Sequence, residues 1–110
     1  MIDNIIENVS EFFESVWAWV KRIWVRILNF LKNIVDWFKD PQRAKRLQEE
    51  KDKLAVVIKE NLDNGNVNVI NCLFNTETSQ IEGDAQGIES EQLDAETQRR
   101  FGNNEMIVLR

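Results

Sequence analysis

Hydrophobic and polar side chains alternate along residues 1–40 with the period of a helix. At about 100° per residue, the large apolar side chains fall in one half of the helical wheel and the charged ones fill the other half. Only Val25 is clearly misplaced on this wheel. No Gly or Pro precedes Pro41, and apolar residues recur every eleven positions, close to the period of a straight helix. The pattern predicts one continuous amphipathic helix over residues 1–40.

All four Trp residues lie in this predicted helix, at the borders of its apolar half. Indole rings with one polar edge favour the headgroup depth of a bilayer, but Trp is also typical of the edge of a protein interface. We therefore expect the apolar half to bind either a membrane surface or other protein helices, with the membrane slightly favoured. The predicted binding residues are Phe12, Phe13, Val16, Trp17, Trp19, Val20, Ile23, Trp24, Ile27, Leu31, Ile34, Trp37 and Phe38.

The charges within the predicted helix argue against a lone membrane span. Its most apolar stretch, residues 16–38, is interrupted by basic side chains that include Lys21, Arg26 and Lys32, whereas a span needs about 18 to 20 residues with few charges. Acidic residues also stand near the start, where a signal peptide would carry basic ones. We expect a cytoplasmic or virion protein that is peripheral to a membrane and is not secreted by a signal peptide.

The pair Asp40-Pro41 predicts the start of a second helix, with Asp40 as its N-cap and Pro41 in its first turn. This helix is expected over residues 41–64 and should end at Asn64-Gly65. The following segment, residues 65–75, is rich in β-branched and aromatic residues and predicts a strand from about Val67 to Phe74. Alternate side chains of this strand should point to opposite sides, with Val67, Val69 and Leu73 on one side and Ile70, Cys72 and Phe74 on the other.

Residues 76–110 are expected to form an extended acidic tail. Their low hydrophobicity and acidic charge are typical of chain that is disordered in isolation. Exceptions are a short helix from Glu91 to Phe101, capped by Ser90 and Gly102, and a terminal strand near Ile107. We expect separate apolar side chains of the tail to anchor a second protein partner. These anchors are Ile81, Ile88, Leu93, Phe101, Ile107 and Leu109.

Composition and charge reduce the number of functions to be expected of this chain. The formal net charge of the 110 residues is −5, and its acidic excess lies in residues 63–110, which makes nucleic-acid binding a poor expectation. Cys72 is the only cysteine, so a disulfide within the chain is impossible, and its place in a strand favours a core position over a nucleophile. The chain has no His or Tyr and no metal or phosphate motif. We expect no enzyme activity, catalytic residue, metal site or cofactor.

The fold class predicted from the sequence is mainly α, with a long N-terminal amphipathic helix, a shorter second helix, a short β element and an extended acidic tail. The expected function is that of a structural or assembly protein within a larger assembly. Its first helix would lie on a membrane or join other helices, and its tail would clasp a second protein. By analogy of organisation, a minor virion component has this layout. The alternative is a homo-oligomeric α-helical tube or bundle that forms a pore or conduit.

Overall fold

The computed structural model describes residues 8–109, with the side chains of all of these except residues 83 and 84. It has a mixed α/β fold. In chain order the elements are helix α1 (Val9–Trp17), strand β1 (Lys21–Leu28), a π-helical turn (Phe30–Val35) that continues as α2 (Asp36–Phe38), helix α3 (Pro41–Glu49), strands β2 (Lys53–Asn61), β3 (Val67–Asn75) and β4 (Gln80–Leu93), helix α4 (Ala95–Phe101) and strand β5 (Met106–Leu109).

Within the described residues, one five-stranded sheet has the order β1-β4-β3-β2-β5. Strands β2, β3 and β4 form an antiparallel meander, and β5 adds antiparallel to β2. Strand β1 pairs with β4 in parallel. Parallel neighbours cannot be joined by a tight turn, and here β1 and β4 are separated by the three helical segments and the first two strands of the meander. Among the five described strands, β1 and β5 therefore form the two outer edges of the sheet.

The sheet is covered on both faces by helices. One core cluster, which we call the lower core, joins side chains of the π-helical turn, α2 and α4 to one face; it includes Ile34, Val69 and Ile88. The other cluster, the upper core, joins α1 to the opposite face and includes Phe13 and Ile70. Strand β3 contributes to both clusters, and each of its nine residues is buried.

The predicted strand from Val67 to Phe74 is confirmed as β3, which extends one residue further. Its alternation is also as predicted. Val67, Val69 and Leu73 belong to the lower core, and Ile70, Cys72 and Phe74 belong to the upper core. A central strand that is covered on both faces is typically rich in β-branched residues and poor in charges. The local sequence of β3 has this composition, and it therefore predicts the strand without knowledge of the neighbours.

The prediction of a mainly α chain is wrong, and its largest error concerns residues 1–40. The helix ends at Trp17, and residues 21–28 form strand β1 instead. Residues 1–7 of the predicted helix lie outside the described residues. The apolar side chains in β1 repeat every second residue at Ile23, Val25 and Ile27, and pairing with β4 selects this period over the helical one. After β1 the chain returns to a helical conformation from Phe30 to Phe38.

The second predicted helix is too long. It begins as predicted, since the side chain of Asp40 accepts a hydrogen bond from the Gln42 backbone N–H and Pro41 occupies the first turn. It ends at Glu49, however, and residues 53–61 form β2. The pair at Asn64-Gly65 therefore turns a β-hairpin, in which Gly65 has a φ of +90° that favours glycine.

The extended acidic tail is also wrong. Residues 80–93 form β4, which pairs with both β1 and β3. The short helix is present but begins at Ala95, with Asp94 as its N-cap, and it ends before Gly102 as predicted. Ser90 is not a cap; it is buried in β4, where its Oγ donates to the Val67 carbonyl at 2.6 Å. The terminal strand is confirmed as β5.

Candidate binding surface at the edge strand

Among the side chains that the structure describes in residues 8–109, five large apolar ones are exposed, and these five lie on β1 or within three residues of its ends. Two are in the strand's lower-core register, one is on its opposite face, and two flank it. Their exposed fractions are 41% for Ile23, 46% for Ile27, 55% for Trp24, 60% for Trp19 and 59% for Leu31. We call these five side chains, together with the outer backbone edge of β1, the β1 surface. Exposed large apolar side chains that cluster in this way make the β1 surface a candidate interaction site.

The two faces of β1 carry different chemistry. Ile23 is the register partner of Ile88, a residue of the lower core, and partners in adjacent strands point to the same face. Val25 packs partly buried against the same core. The lower-core side of β1 is thus an apolar ladder of Ile23, Val25 and Ile27 that reaches the sheet edge.

The opposite face of β1 carries two arginines around Trp24. The Arg22 Nη1 atom lies 3.9 Å from Glu89 Oε1, and the Arg26 Nε atom lies 3.6 Å from Glu91 Oε2. Both ion pairs are exposed, and the side chain of Arg26 has 83% of its area in solvent. Exposed pairs of this kind contribute roughly 0–1 kcal/mol each. They orient β1 on β4 and leave most of the Arg26 side chain in solvent.

Helix α1 meets this face of the sheet through Trp17. The indole stacks on Phe13 with ring centroids 5.4 Å apart, and the Arg22 guanidinium lies 5.2 Å from the Trp17 ring. Close approach is possible because Gly87 on β4 has no side chain. A Cβ there would stand 2.8 Å from the Trp17 Cζ3 atom and 2.9 Å from Val20 Cγ1. Trp17 is therefore a packing residue that fixes α1 beside the β1 surface.

The carboxyl end of β1 is held by a polar junction with α4. The Asn29 side chain accepts from the Lys32 N–H at 2.8 Å and donates to Asp94 Oδ2 at 2.8 Å. Asp94 also accepts from Thr97, and this hydrogen bond is the main cause that holds the pKa of its carboxyl below the ordinary value. The junction borders an open groove of about 810 Å³, lined in part by Ile27 and Leu31.

The structure divides the predicted binding residues of the first forty into three groups. The buried members, which serve the chain's own core, are Phe13, Val16, Val20, Ile34 and Phe38. The partly buried members are Phe12, Trp17 and Trp37. The exposed members are those of the β1 surface, namely Trp19, Ile23, Trp24, Ile27 and Leu31.

The six predicted tail anchors pack within this chain. Those buried in the lower core are Ile88, Leu93 and Phe101. Those partly buried against a core cluster are Ile81, Ile107 and Leu109. They hold β4, α4 and β5 in the fold, so none of them is part of the β1 surface.

The sequence pattern did not reveal the backbone edge of β1, which is the central feature of this surface. A signal was nevertheless present. Val25 was the one residue that did not fit the helical wheel, and in the strand it aligns with Ile23 and Ile27 on one face. A helical misfit that becomes regular at period two is evidence for a strand.

Lys53 is the most heavily paired titratable group of the described residues. Its Nζ atom lies 3.0 Å from Asp52 Oδ2, 3.2 Å from Glu50 Oε1 and 3.0 Å from Glu82 Oε2, and its side chain is 5% exposed. The hydrogen bond with Asp52 is the first cause that raises the pKa of Lys53. Asn75 donates to Glu82 as well. An ammonium that is held charged by three carboxylates is suited to joining strand ends, not to proton transfer.

Cys72 lies fully buried in β3, where its Sγ donates to the Val56 carbonyl at 3.6 Å. Burial raises the pKa of its thiol to about 12, so the nucleophilic thiolate is not formed near neutral pH. The predicted core position of Cys72 is confirmed. In residues 8–109, the side chains with known placement include no group of three or more His, Cys, Asp or Glu residues arranged to hold a metal ion.

Each helix in the described part of the chain is too short or too polar to cross a bilayer. Comparisons with protein-family models, with curated proteins and with solved structures find no match to this chain.

Proposed function

We propose that this chain is a non-enzymatic assembly protein that joins another polypeptide through the β1 surface, by accepting a strand at the outer edge of β1. The observation that carries the proposal is the coincidence of two features on one strand. Within residues 8–109, β1 has a hydrogen-bonded neighbour on one side only, and the exposed large apolar side chains lie on the same strand or within three residues of its ends. An added strand would satisfy the backbone while it covers the side chains.

Soluble proteins normally protect their edge strands, and the two edges of this sheet differ in that respect. Strand β5 has four residues, each partly buried, and a short edge offers little to a partner. Strand β1 has eight residues, and Ile23 and Ile27 are exposed on it. A long edge strand with exposed apolar side chains is a template for pairing. This contrast supports β1 as the edge that has a partner.

A membrane surface is the second candidate for the same residues. Trp19 and Trp24 are more than half exposed and alternate with the basic residues Lys21, Arg22 and Arg26, a combination that suits anionic headgroups. The backbone argues for the protein partner. Unpaired N–H and C=O groups of an edge strand cost several kcal/mol each in hydrocarbon, so apolar insertion of β1 into lipid would leave them unsatisfied.

The test is backbone hydrogen exchange on the assembly, meaning the full chain isolated from its cells together with whatever is bound to it. The same measurement is made on the variant that carries both Ile23→Lys and Ile27→Lys. We expect the outward amides of β1 to be protected in the isolated assembly and to become exposed in the variant, with β3 unchanged. Because both isoleucines are exposed in this chain, the variant should fold.

The matched control is the double variant with Gln42→Lys and Gln48→Lys. Both glutamines are exposed on helix α3 and neither belongs to the β1 surface, so strand addition predicts that β1 protection survives the change. Equal loss in both variants would contradict the proposal. So would β1 amides that exchange freely in the isolated assembly, or that gain protection only on anionic vesicles, which is the result expected of the membrane candidate.

A further inference from the structure

We infer that the strand received by the β1 surface is β1 of a second copy of this chain, antiparallel to the first and in the register that places Val25 opposite Val25. This inference rests on the proposed function, because it names the occupant of the same edge. Two such copies would form one continuous sheet across a two-fold axis, with identical surfaces facing each other.

The register follows from the side chains of β1. With Val25 at the axis, Ile23 of each copy stands opposite Ile27 of the other, so the apolar ladder on the lower-core side continues across the junction. On the opposite face, Trp24 stands opposite Arg26. An exposed guanidinium beside an indole favours a cation–π contact, and Arg26 is mostly in solvent in the single chain. Over residues 23–27, both faces of the strand are therefore complementary to themselves.

Two neighbouring registers, with the axis shifted toward Trp24, lack this complementarity. With Trp24 at the axis, Arg22 would stand opposite Arg26, and like charges directly opposite each other are destabilising. With the axis between Trp24 and Val25, Arg26 would stand opposite Ile23. That arrangement would bring a charge to the apolar ladder, where it has no partner. Among these three, the Val25 register alone pairs apolar with apolar and cation with indole.

The two flanking members of the β1 surface fit the same arrangement. In an antiparallel pair, the end at which one strand begins lies beside the end at which the other finishes. Trp19 precedes β1 by two residues and Leu31 follows it by three. Trp19 of one copy and Leu31 of the other thus come to the same end of the pair. The two-fold axis brings all five exposed apolar side chains to one interface, each of them twice.

Disulfide trapping of the full chain tests the register. In Val25→Cys, the two introduced side chains face each other with Cβ atoms about 4.5–5.5 Å apart, which is near the reach of a disulfide. In Ile23→Cys the two thiols are four residues out of register, roughly 13 Å apart along the strand, and cannot bond. The natural Cys72 does not interfere, because it is buried and burial raises the pKa of its thiol to about 12.

On mild oxidation we expect Val25→Cys to give a covalent dimer and Ile23→Cys to stay monomeric. The double variant with Ile23→Cys and Ile27→Cys should cross-link again, because each introduced thiol then faces its counterpart. In light scattering, the wild-type chain should have twice the mass of one chain and lose its dimer in the variant that carries both Ile23→Lys and Ile27→Lys.

Cross-linking through Ile23→Cys in place of Val25→Cys would overturn the register. A monomeric mass at every concentration would overturn the second copy as the partner. If β1 is protected in the isolated assembly while that assembly contains one copy of this chain and a different polypeptide, the second copy is also excluded, yet strand addition at β1 stands. Failure of the inference can thus be told apart from failure of the proposed function.

Discussion

Strands β1 and β3 have similar shares of apolar side chains but opposite environments. Strand β3 has neighbours on both sides and helices over both faces, and each of its residues is buried. In β1 only Leu28 is buried, and Val25 is partly buried. Their sequences differ mainly in charge, since β1 carries Lys21, Arg22 and Arg26 whereas β3 carries none. The composition of β3 is therefore sufficient to specify a strand, whereas β1 adopts the strand conformation because it pairs with β4.

A matched pair of substitutions gives the largest expected contrast. Ile70→Ala opens a cavity in a site with no exposed area and should lower the free energy of unfolding by roughly 2–5 kcal/mol. Ile27→Ala changes a side chain that is 46% exposed and should cost about 1 kcal/mol or less in the single chain. Denaturant unfolding at low protein concentration measures both. Equal losses would mean that β1 is as much a core strand as β3.

A substitution at the contact between β4 and helix α1 should have an intermediate effect on stability. Strand β4 lies between β1 and β3 in the sheet, so this substitution tests what separates the two strands. Gly87→Ala forces Trp17 or the backbone near it to move, since the new Cβ would lie 2.8 Å from the indole. Overpacking of this kind costs roughly 1–3 kcal/mol. The fluorescence of Trp17 should change with the stability.

Gly65→Ala is the control for this change. A Cβ at Gly65 meets nothing within 4 Å, although its φ of +90° makes the position strained for alanine. It should lower stability without a change in the environment of Trp17. An unaltered indole signal in Gly87→Ala would show that α1 does not pack on β4 as described.

The elements that the sequence predicts correctly follow the same division between the strands. Strand β3, the cap at Asp40, the end of α4 at Gly102 and strand β5 were predicted, because each is specified by a local pattern of β-branched residues, caps or turn residues. The β1 surface was predicted only in part. The apolar pattern predicts its exposed side chains as binding residues but places them on a helix face.

The remainder could not be predicted because it depends on contacts between distant residues. Ile23 pairs with Ile88 and Val25 with Ser90, and no local pattern announces such a pairing. Where the helical and strand periods both fit a segment, the available neighbour decides. The acidic residues of β4 by themselves predict disorder, whereas in the fold Glu89 and Glu91 pair with arginines of β1.

The smallest effect is expected from the ion pairs. It appears in the comparison between the Lys53 cluster near the end of β3 and the exposed Arg26 pair on β1. Near the end of β3, Lys53 joins Glu50, Asp52 and Glu82, and the pKa values of these three carboxyls are lowered, each mainly by a hydrogen bond. Groups with a lowered folded pKa stabilise the fold above their unfolded values and lose that contribution as the pH falls through the folded ones. Lys53, with a raised pKa, contributes below its unfolded value and loses its contribution as the pH rises.

Lys53→Met should therefore lower the melting temperature most between about pH 4.5 and pH 10.5, the ordinary values of Glu50 and Lys53. Its deficit relative to wild type should shrink in acid as the carboxyls are protonated. Arg26→Met at the exposed pair of β1 should change the melting temperature little at any pH. Thermal unfolding across a pH series measures both variants. A deficit in Lys53→Met that is independent of pH would show that the cluster acts through packing alone.

The parallel pairing of β1 with β4 also has a consequence for the order in which the protein is made. Asn29, just after β1, bonds to Asp94, just after β4, and the two are 65 residues apart in sequence. At about 5–20 residues per second, translation leaves β1 without its partner for several seconds. During that time its apolar ladder is open to chaperones and to neighbouring nascent chains, whereas the β2–β3 hairpin can close soon after it is synthesised. Residues 21–28 are therefore the segment at which co-translational misassembly should begin.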